Sequence, residues 1–451
     1  MATATGAAMN RDIAVGVVSL GCDKNRIDTE EMLGRLAQEG FRFTRDAADA
    51  DVIIVNTCAF IDSAKEEAIS TLLEMAQYKV EGNCAFLIAT GCLPQRYMSQ
   101  LEEGIPEVDA WLGTAGYDKI ADVIRRLYDG ERGVTVANDK DARCPVAPRM
   151  LTTPEHYAYL KIAEGCGNRC TYCAIPSIRG GYTSRPIESI VDEAKTLIDE
   201  HPLKELIVVA QDVSRYGEDL YGENRLIDLL GKLCELPVEW IRLLYLYPEK
   251  ITDELLDFID SHPKICRYLD IPLQHYSDRV LKRMNRRITS EGIDALIAKI
   301  AARGGYTLRS TFIVGFPGET DEDIELLEAF LKRARLDRCG FFEYSEEDGT
   351  PAAKLPDKVP EEVKHARFER LYALQEGIMS DKDAQKVGSV LEVIYEDIDF
   401  DNNMFSGRTR GDAPSVDSGI LFTSERPMDV GEICRVKVTG AKDGILTGEC
   451  I

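Results

Sequence analysis

Three thiols fall within eight residues of this chain: Cys166, Cys170 and Cys173, in Glu164-Gly-Cys-Gly-Asn-Arg-Cys-Thr-Tyr-Cys-Ala-Ile-Pro176. This C-x3-C-x2-C loop has no fourth Cys or His nearby. A structural zinc site takes four closed ligands, usually as two separated pairs. Three close thiolates instead suit three irons of a 4Fe–4S cubane and leave the fourth iron open to bind and reduce something. The competing reading is a packed cluster of reduced cysteines. Gly165, Gly167 and Asn168 oppose it, because they favour an exposed loop.

A second set of thiols is spread along the first third of the chain. Cys22 ends Ser19-Leu-Gly-Cys22, Cys58 ends Val55-Asn-Thr-Cys58, and Cys92 ends Ala89-Thr-Gly-Cys92. Each follows an apolar, β-rich run: Ile13–Leu20, Val52–Val55 and Ala85–Ala89. Helical patterns follow at about Asp28–Glu39, Ser63–Tyr78 and Pro94–Glu102. Strand–helix alternation predicts an open parallel sheet covered by helices. Ligands of such a sheet gather beyond the carboxyl ends of its strands, so one thiol from each of three strand ends converges on one site. That predicts a second iron–sulfur cluster with one open iron. The alternative is three buried cysteines placed by chance.

Downstream of a variable, Pro-containing stretch read as linker (Gly130–Pro154), six more strands are expected. They are Ala158–Ile162, Glu205–Ala210, Trp240–Tyr245, Tyr268–Pro272, Tyr306–Gly315 and Gly340–Tyr344. Six strands with crossover helices make a partial (β/α) barrel, with the cysteine loop at the C-terminal rim. Other rim candidates are Gln211-Asp212, Gln274-His275 and Gly315-Phe-Pro-Gly-Glu319. His275 reads as an ordinary histidine satisfied by backbone, and the last segment as a strand-to-helix turn. From Ala384 to Ile451, five short strands (Val390–Ile398, Met404–Arg410, Ile420–Thr423, Ile433–Thr439, Gly444–Gly448) predict a small OB-like β-barrel. The division expected is therefore 12–130, 152–383 and 384–451, an α/β chain with a β-barrel at its end.

Bulk properties narrow the partners. The net charge is −24, and the last 68 residues carry seven Lys and Arg against twelve Asp and Glu, a net of −5. Phosphate is repelled by such a surface, which argues against a polyanion such as RNA and for a neutral or basic macromolecular partner or a small substrate. No apolar run approaches the roughly 18 residues of a membrane span. Met1–Ala8 lacks the pattern of a signal peptide, and residues up to about Arg11 read as a loose tail. Thirteen cysteines in a chain of 451 residues do not make a disulfide scaffold. The expected setting is the reducing cytoplasm of a bacterial-type cell, with no membrane partner. The seven other cysteines (84, 144, 234, 266, 339, 434, 450) show no ligand spacing and read as small buried apolar residues.

The loop of Cys166, Cys170 and Cys173, with Tyr172 before the last thiol, resembles the signature of the radical S-adenosylmethionine superfamily. In that superfamily the open iron chelates the methionine moiety of S-adenosylmethionine, and an electron from the cluster yields a 5′-deoxyadenosyl radical. Taken with Asn56-Thr-Cys58, Thr90-Gly-Cys92, Tyr344-Ser-Glu-Glu-Asp-Gly-Thr-Pro-Ala352 and Gly407-Arg-Thr-Arg-Gly-Asp-Ala-Pro-Ser-Val-Asp417, the whole chain resembles the methylthiotransferase family, the last motif being that of its TRAM domain. Ser19-Leu-Gly-Cys-Asp-Lys-Asn25, Asp28-Thr-Glu30, Asn-Thr-Cys-Ala-Phe-Ile-Asp62 and Ala64-Lys-Glu-Glu-Ala68 look like its RimO-type branch, which modifies a ribosomal-protein aspartate. The alternative MiaB-type branch modifies a tRNA adenosine.

The resemblance implies two 4Fe–4S clusters, on Cys22, Cys58 and Cys92 and on Cys166, Cys170 and Cys173. It implies cofactor contacts from Tyr172, Ile313 and Gly315, although Thr311-Phe-Ile-Val-Gly-Phe-Pro-Gly-Glu319 departs from the usual G-x-I-x-G-x-x-E. It also implies a basic small-subunit ribosomal protein as substrate and an electron donor such as flavodoxin or ferredoxin. One S-adenosylmethionine gives its methyl to a sulfur at the first cluster. A second, reduced at the other cluster, gives the radical that takes hydrogen from the aspartate β-carbon, which then accepts the methylthio group. Hydrogen-atom abstraction needs no general base, so no catalytic residue is expected beyond the cluster ligands. An electron carrier without turnover is the reading from a different class, and a carrier would close its cluster with a fourth Cys.

Overall fold

A computed structural model describes residues 12–136 and 147–451. The expected tail before Asp12, Cys144 and the middle of the expected linker lie outside the described residues.

The N-terminal unit is a six-stranded, wholly parallel sheet of order β2-β1-β3-β4-β5-β6. Its strands are β1 (Ala14–Ser19), β2 (Arg42–Phe43), β3 (Val52–Thr57), β4 (Phe86–Gly91), β5 (Ala110–Leu112) and β6 (Val134–Val136). The runs Val-Ile-Ile-Val-Asn-Thr and Phe-Leu-Ile-Ala-Thr-Gly are buried throughout, as strands covered on both faces must be. Ile54 and Ile88 join Val15, Leu36 and Ile120 on one face, while Ile53, Val55, Leu87 and Ala89 join Leu72 and Leu93 on the other. Three of these strands were legible as apolar runs. β2, β5 and β6, of two or three residues, are too short to show a period. The helix expected from Asp28 starts five residues earlier, at Asp23, directly behind Cys22.

The stretch read as linker is not one throughout. Val134–Val136 is a strand, and Arg149 is buried between Glu30 and Glu193. The Met150 N–H donates to the Glu30 carbonyl at 3.1 Å.

All six expected strands of the second unit are present: β7 (Tyr157–Lys161), β10 (Glu205–Val209), β11 (Trp240–Leu243), β12 (Ile265–Asp270), β13 (Thr307–Val314) and β14 (Arg338–Glu343). A short hairpin of β8 (Ala163–Glu164) and β9 (Thr183–Ser184) precedes and follows the cysteine loop. The six pair in parallel and in chain order, β7 to β14, as a partial barrel. One face carries Leu160, Leu206, Val208, Leu243 and Leu269 against the covering helices. The other carries Tyr157, Tyr159, Ile207, Val209, Trp240 and Tyr268, and is completed from outside by Ile27, Ile394 and Ala413. The helix Glu361–Gln385 packs along β14 and runs past residue 383 before the last unit begins.

That unit is a closed barrel of β15 (Val390–Asp399), β16 (Met404–Thr409), β17 (Ile420–Thr423), β18 (Ile433–Lys442) and β19 (Ile445–Cys450), ordered β15-β16-β17-β19-β18. Its Gly407–Asp417 segment is not turned to solvent. Arg408 pairs with Glu205 at the start of β10, Arg338 at the start of β14 faces Asp412, and the Tyr268 hydroxyl donates to Asp417. The small barrel thus closes the N-terminal end of the larger one.

Candidate functional site

Cys22 caps the helix Asp23–Gln38, Cys58 follows β3, and Cys92 opens the helix that follows β4. Asn25 ties the three turns together: its amide donates to the Leu20 and Thr57 carbonyls (3.1 and 2.9 Å), and its Oδ1 lies 3.6 Å from Cys92 Sγ. The Leu20 N–H donates to the Asn56 carbonyl, and the Thr57 hydroxyl to the Thr90 carbonyl. Cys22 is exposed, while Cys58 and Cys92 are buried. Burial pushes the Cys58 thiol up and the Cys92 thiol to about 12, although the Arg179 guanidinium stands 3.8 Å from the latter sulfur.

Among the described residues no three donors lie close enough to share one metal ion. Thiolates that each ligate a different iron of a cluster need a wider spread, and iron displaces the thiol proton outright. The donor set therefore fits a cluster held by three cysteines.

The second triad is built by backbone. The Cys166 N–H donates to Gly180 O (3.1 Å), Thr171 N–H to Met284 O (3.0 Å), Ala352 N–H to Thr171 O (2.9 Å), and the Asn285 amide to Arg169 O (2.9 Å). Gly165, at φ +77°, makes the entry turn; a Cβ there would stand 2.2 Å from Gly181 O. Cys170 Sγ lies 3.2 Å from the Tyr247 hydroxyl and 3.9 Å from Arg286, whose guanidinium stacks on Tyr247 at 3.9 Å. Burial, with the neighbouring Cys170, pushes Cys166 to about 11. Burial likewise raises Cys173.

Tyr172 and Ile313 come together, packed with Met284, Phe316, Tyr344 and Ala352. Gly315 lies against Lys364, whose Cγ would be 2.2 Å from a Cβ at that position. The turn after it leads into a helix capped by Thr320 and Asp323, with the Gly315 N–H donating to Glu319 Oε1 at 2.8 Å. His275 is fully buried; its Nδ1 accepts from the Ser277 N–H at 3.0 Å, and its Nε2 lies 3.2 Å from Glu319. Of the rim residues, Gln211 donates to Glu164 at 2.7 Å and leaves its buried Oε1 without a partner. Asp212, raised by burial, accepts from Asn168 and Ser214.

Sequence reasoning missed the residues that join the triads. Arg179, buried, reaches Cys92, Asn25 and Asp28 on one side and Glu164, two residues before Cys166, on the other. Lys161 adds a second buried cation between Asp28 and Glu164. The loop after β11 touches both sites, with the Tyr245 hydroxyl on Asp23 (3.2 Å) and the Tyr247 hydroxyl on Cys170. The i, i+2 spacing of these tyrosines at a strand end was the available signal. Beside the Cys58 turn opens a cleft of about 610 Å³, lined by Ile61, Asp62, Phe342, Glu343, Tyr344 and Glu346 among others. The six cysteines outside the triads that the structure describes do not all behave alike. Cys84, Cys266 and Cys434 are buried as expected, whereas Cys234, Cys339 and Cys450 are only half-buried.

A three-thiol loop at the rim of a partial (β/α) barrel defines a radical S-adenosylmethionine protein, and residues 160–331 match that superfamily. Residues 14–113 match an uncharacterized protein family (UPF0004), and 387–451 match the TRAM domain. Among solved structures, the radical S-adenosylmethionine methyltransferase TsrM from Kitasatospora setae shares the fold, with a TM-score of 0.54 at 14% identity over 75% of this chain and 76% of that one. The cobalamin-dependent S-adenosylmethionine radical enzyme OxsB gives 0.51 at 14% identity over 81% of this chain and 56% of that one.

Curated relatives named ribosomal protein uS12 methylthiotransferase RimO match nearly end to end. The protein from Lachnoclostridium phytofermentans is 48% identical over 96% of this chain and 98% of its own length. That from Caldicellulosiruptor saccharolyticus is 47% identical over 97% and 100%. The chain belongs to the RimO family of radical S-adenosylmethionine methylthiotransferases.

Proposed function

We propose that this chain adds a methylthio group to the β-carbon of an aspartate in the small-subunit ribosomal protein uS12. The full-length identity to the RimO relatives carries the reading. Cys166, Cys170 and Cys173 would hold one 4Fe–4S cluster and Cys22, Cys58 and Cys92 a second, in units spanning 152–383 and 12–130. When bound, these groups and S-adenosylmethionine supply reductive cleavage, hydrogen-atom abstraction and a methyl donor.

The chain's own residues do the rest. Arg286 and Arg179 place a fixed positive charge beside Cys170 and Cys92, where it would offset the negative charge of a cluster held there. Tyr172, Ile313, Phe316 and Tyr344 present an apolar wall that excludes water. Ile313 and Gly315 are proposed beside the adenine, and the unpartnered Gln211 Oε1 is an acceptor available to the cosubstrate. The cleft beside Cys58 sets Asp62, Glu343, Glu346 and Glu361 against Lys358 and Lys364, a net acidic lining suited to a basic polypeptide. Among the described residues no helix is long and apolar enough to cross a membrane. A cytoplasmic setting and a flavodoxin or ferredoxin as electron donor complete the proposal.

The tRNA reading is disfavoured by the charge of −24. Mass spectrometry of uS12 and of tRNA, from cells with and without this gene, separates the two. The expected result is loss of about 46 Da, a methylthio group replacing hydrogen, from the uS12 aspartate alone. Loss of methylthioadenosine from tRNA with uS12 unchanged would transfer the function to the sister branch.

A further inference from the structure

Lys24 is a buried cation answered by one carboxylate and one aromatic ring. Only 6% exposed, it follows Cys22 by two residues and sits in the first turn of the helix Asp23–Gln38. That end of a helix carries the positive pole of its dipole, so an ammonium there is disfavoured, while Asp23 is already favoured. The Lys24 ammonium lies 3.0 Å from the centroid of the Tyr245 ring and 3.2 Å from Asp23 Oδ1. The same Oδ1 accepts the Tyr245 hydroxyl at 3.2 Å, and Asp23 Oδ2 is buried with no partner. An ammonium has three donors, and among the described residues a single carboxylate oxygen, shared with a phenol, is paired with it.

The position of this cation is held from the barrel side. Tyr245 adopts a left-handed backbone, φ +62°, which is costly for an aromatic residue and clusters at functional sites. Its N–H donates to Asp270 at 3.2 Å. Two residues on, Tyr247 meets Cys170. The ammonium therefore stands between the exposed Cys22 and the loop that reaches the second triad.

Resting on the function proposed above, we infer that Lys24 is the receptor for the side-chain carboxylate of the substrate aspartate. The β-carbon to be modified is one bond from that carboxylate, so pairing the carboxylate with a fixed cation places the carbon between the two triads. Charge-assisted pairing in a buried site also rejects asparagine, which would leave the ammonium unpaired.

The test uses the full-length, anaerobically iron-loaded enzyme and the ribosomal protein in two forms, with Asp or Asn at the target position. Affinity for each is measured by competition, with methylthiolation followed by mass spectrometry. The unsubstituted enzyme should prefer the Asp form by at least about tenfold. Lys24→Gln should reduce the preference to less than about twofold, and Lys24→Arg, which keeps the cation, should retain most of it. Thermal melting reports whether each variant is folded. Retention of the full preference in Lys24→Gln overturns the inference. So does equal binding of both forms by an unsubstituted enzyme that modifies the Asp form. Failure of the unsubstituted enzyme to modify the Asp form at all overturns the proposed function itself.

Discussion

Replacing Arg408 by Met removes one cation from the buried joint between the two barrels. Its guanidinium donates to Glu205 Oε2 at 2.7 Å, to Glu396 Oε1 at 2.8 Å and to the Asp412 carbonyl at 3.0 Å. Glu205 is fully buried, so its charge has no access to water once a partner is lost. Breaking a buried pair from one side costs about 3 to 5 kcal/mol. Here Glu205 keeps Arg242 at 2.6 Å, and Glu396 keeps His156 at 2.9 Å, which places the expected loss near the lower end, about 3 kcal/mol. Methionine fills most of the space of the arginine stem, so packing contributes little to the difference.

Urea unfolding at neutral pH, followed by tryptophan fluorescence, measures the loss. Trp240, the first residue of β11, is buried at this joint with the Arg410 guanidinium 5.4 Å from its ring. Glu205→Gln should cost at least as much, because it orphans Arg242 as well. The double variant should fall short of the sum by about 2 kcal/mol, since the two substitutions remove one shared interaction. A loss below about 1 kcal/mol for Arg408→Met, or additivity within about 0.5 kcal/mol, would refute the view that this charge cluster holds the small barrel in place.

Gly165→Ala should empty one cluster site and spare the other. Its Cβ would meet the Gly181 carbonyl at 2.2 Å in a backbone of φ +77°, so the entry turn of the cysteine loop cannot form unchanged. Iron per chain after anaerobic loading should fall from about eight to about four, and equal loading would refute the assignment of Gly165. Acidification should loosen the joint of the barrels. Burial alone would raise the Glu205 carboxyl, but Arg242 and Arg408 outweigh it and hold it below its ordinary 4.5. A depressed carboxyl contributes its full stability above the unfolded value and loses it as pH falls below about 4.5 toward the folded value. Urea midpoints measured from pH 6 to pH 3 should decline across that window, and decline less in Glu205→Gln; identical slopes would exclude Glu205 as a cause.

The six thiols proposed as cluster ligands stand out in the sequence because their signals are local. Cys166, Cys170 and Cys173 share one loop, and Cys22, Cys58 and Cys92 each follow an apolar run whose end fixes where the side chain emerges. All six strands of the central barrel and the five of the small barrel were likewise readable, since each is a continuous β-rich run between turn residues. Strands β2, β5 and β6 were not, because two or three residues carry no periodicity and form only against a neighbour already in place.

What joins the parts was decided in three dimensions. Arg179 reaches Cys92 across 87 residues, Lys161 reaches Asp28 across 133, and Arg408 reaches Glu205 across 203. In the sequence these are ordinary charged residues, most often solvated. Only the fold takes their water away, and a charge without water must be answered by an opposite one, whichever part of the chain supplies it. The Gly407–Asp417 segment shows the same logic. Read in the sequence as the TRAM-domain motif, it is buried against the floor of the larger barrel, which makes its arginine and aspartates the internal counter-ions of Glu205, Arg338 and Arg309.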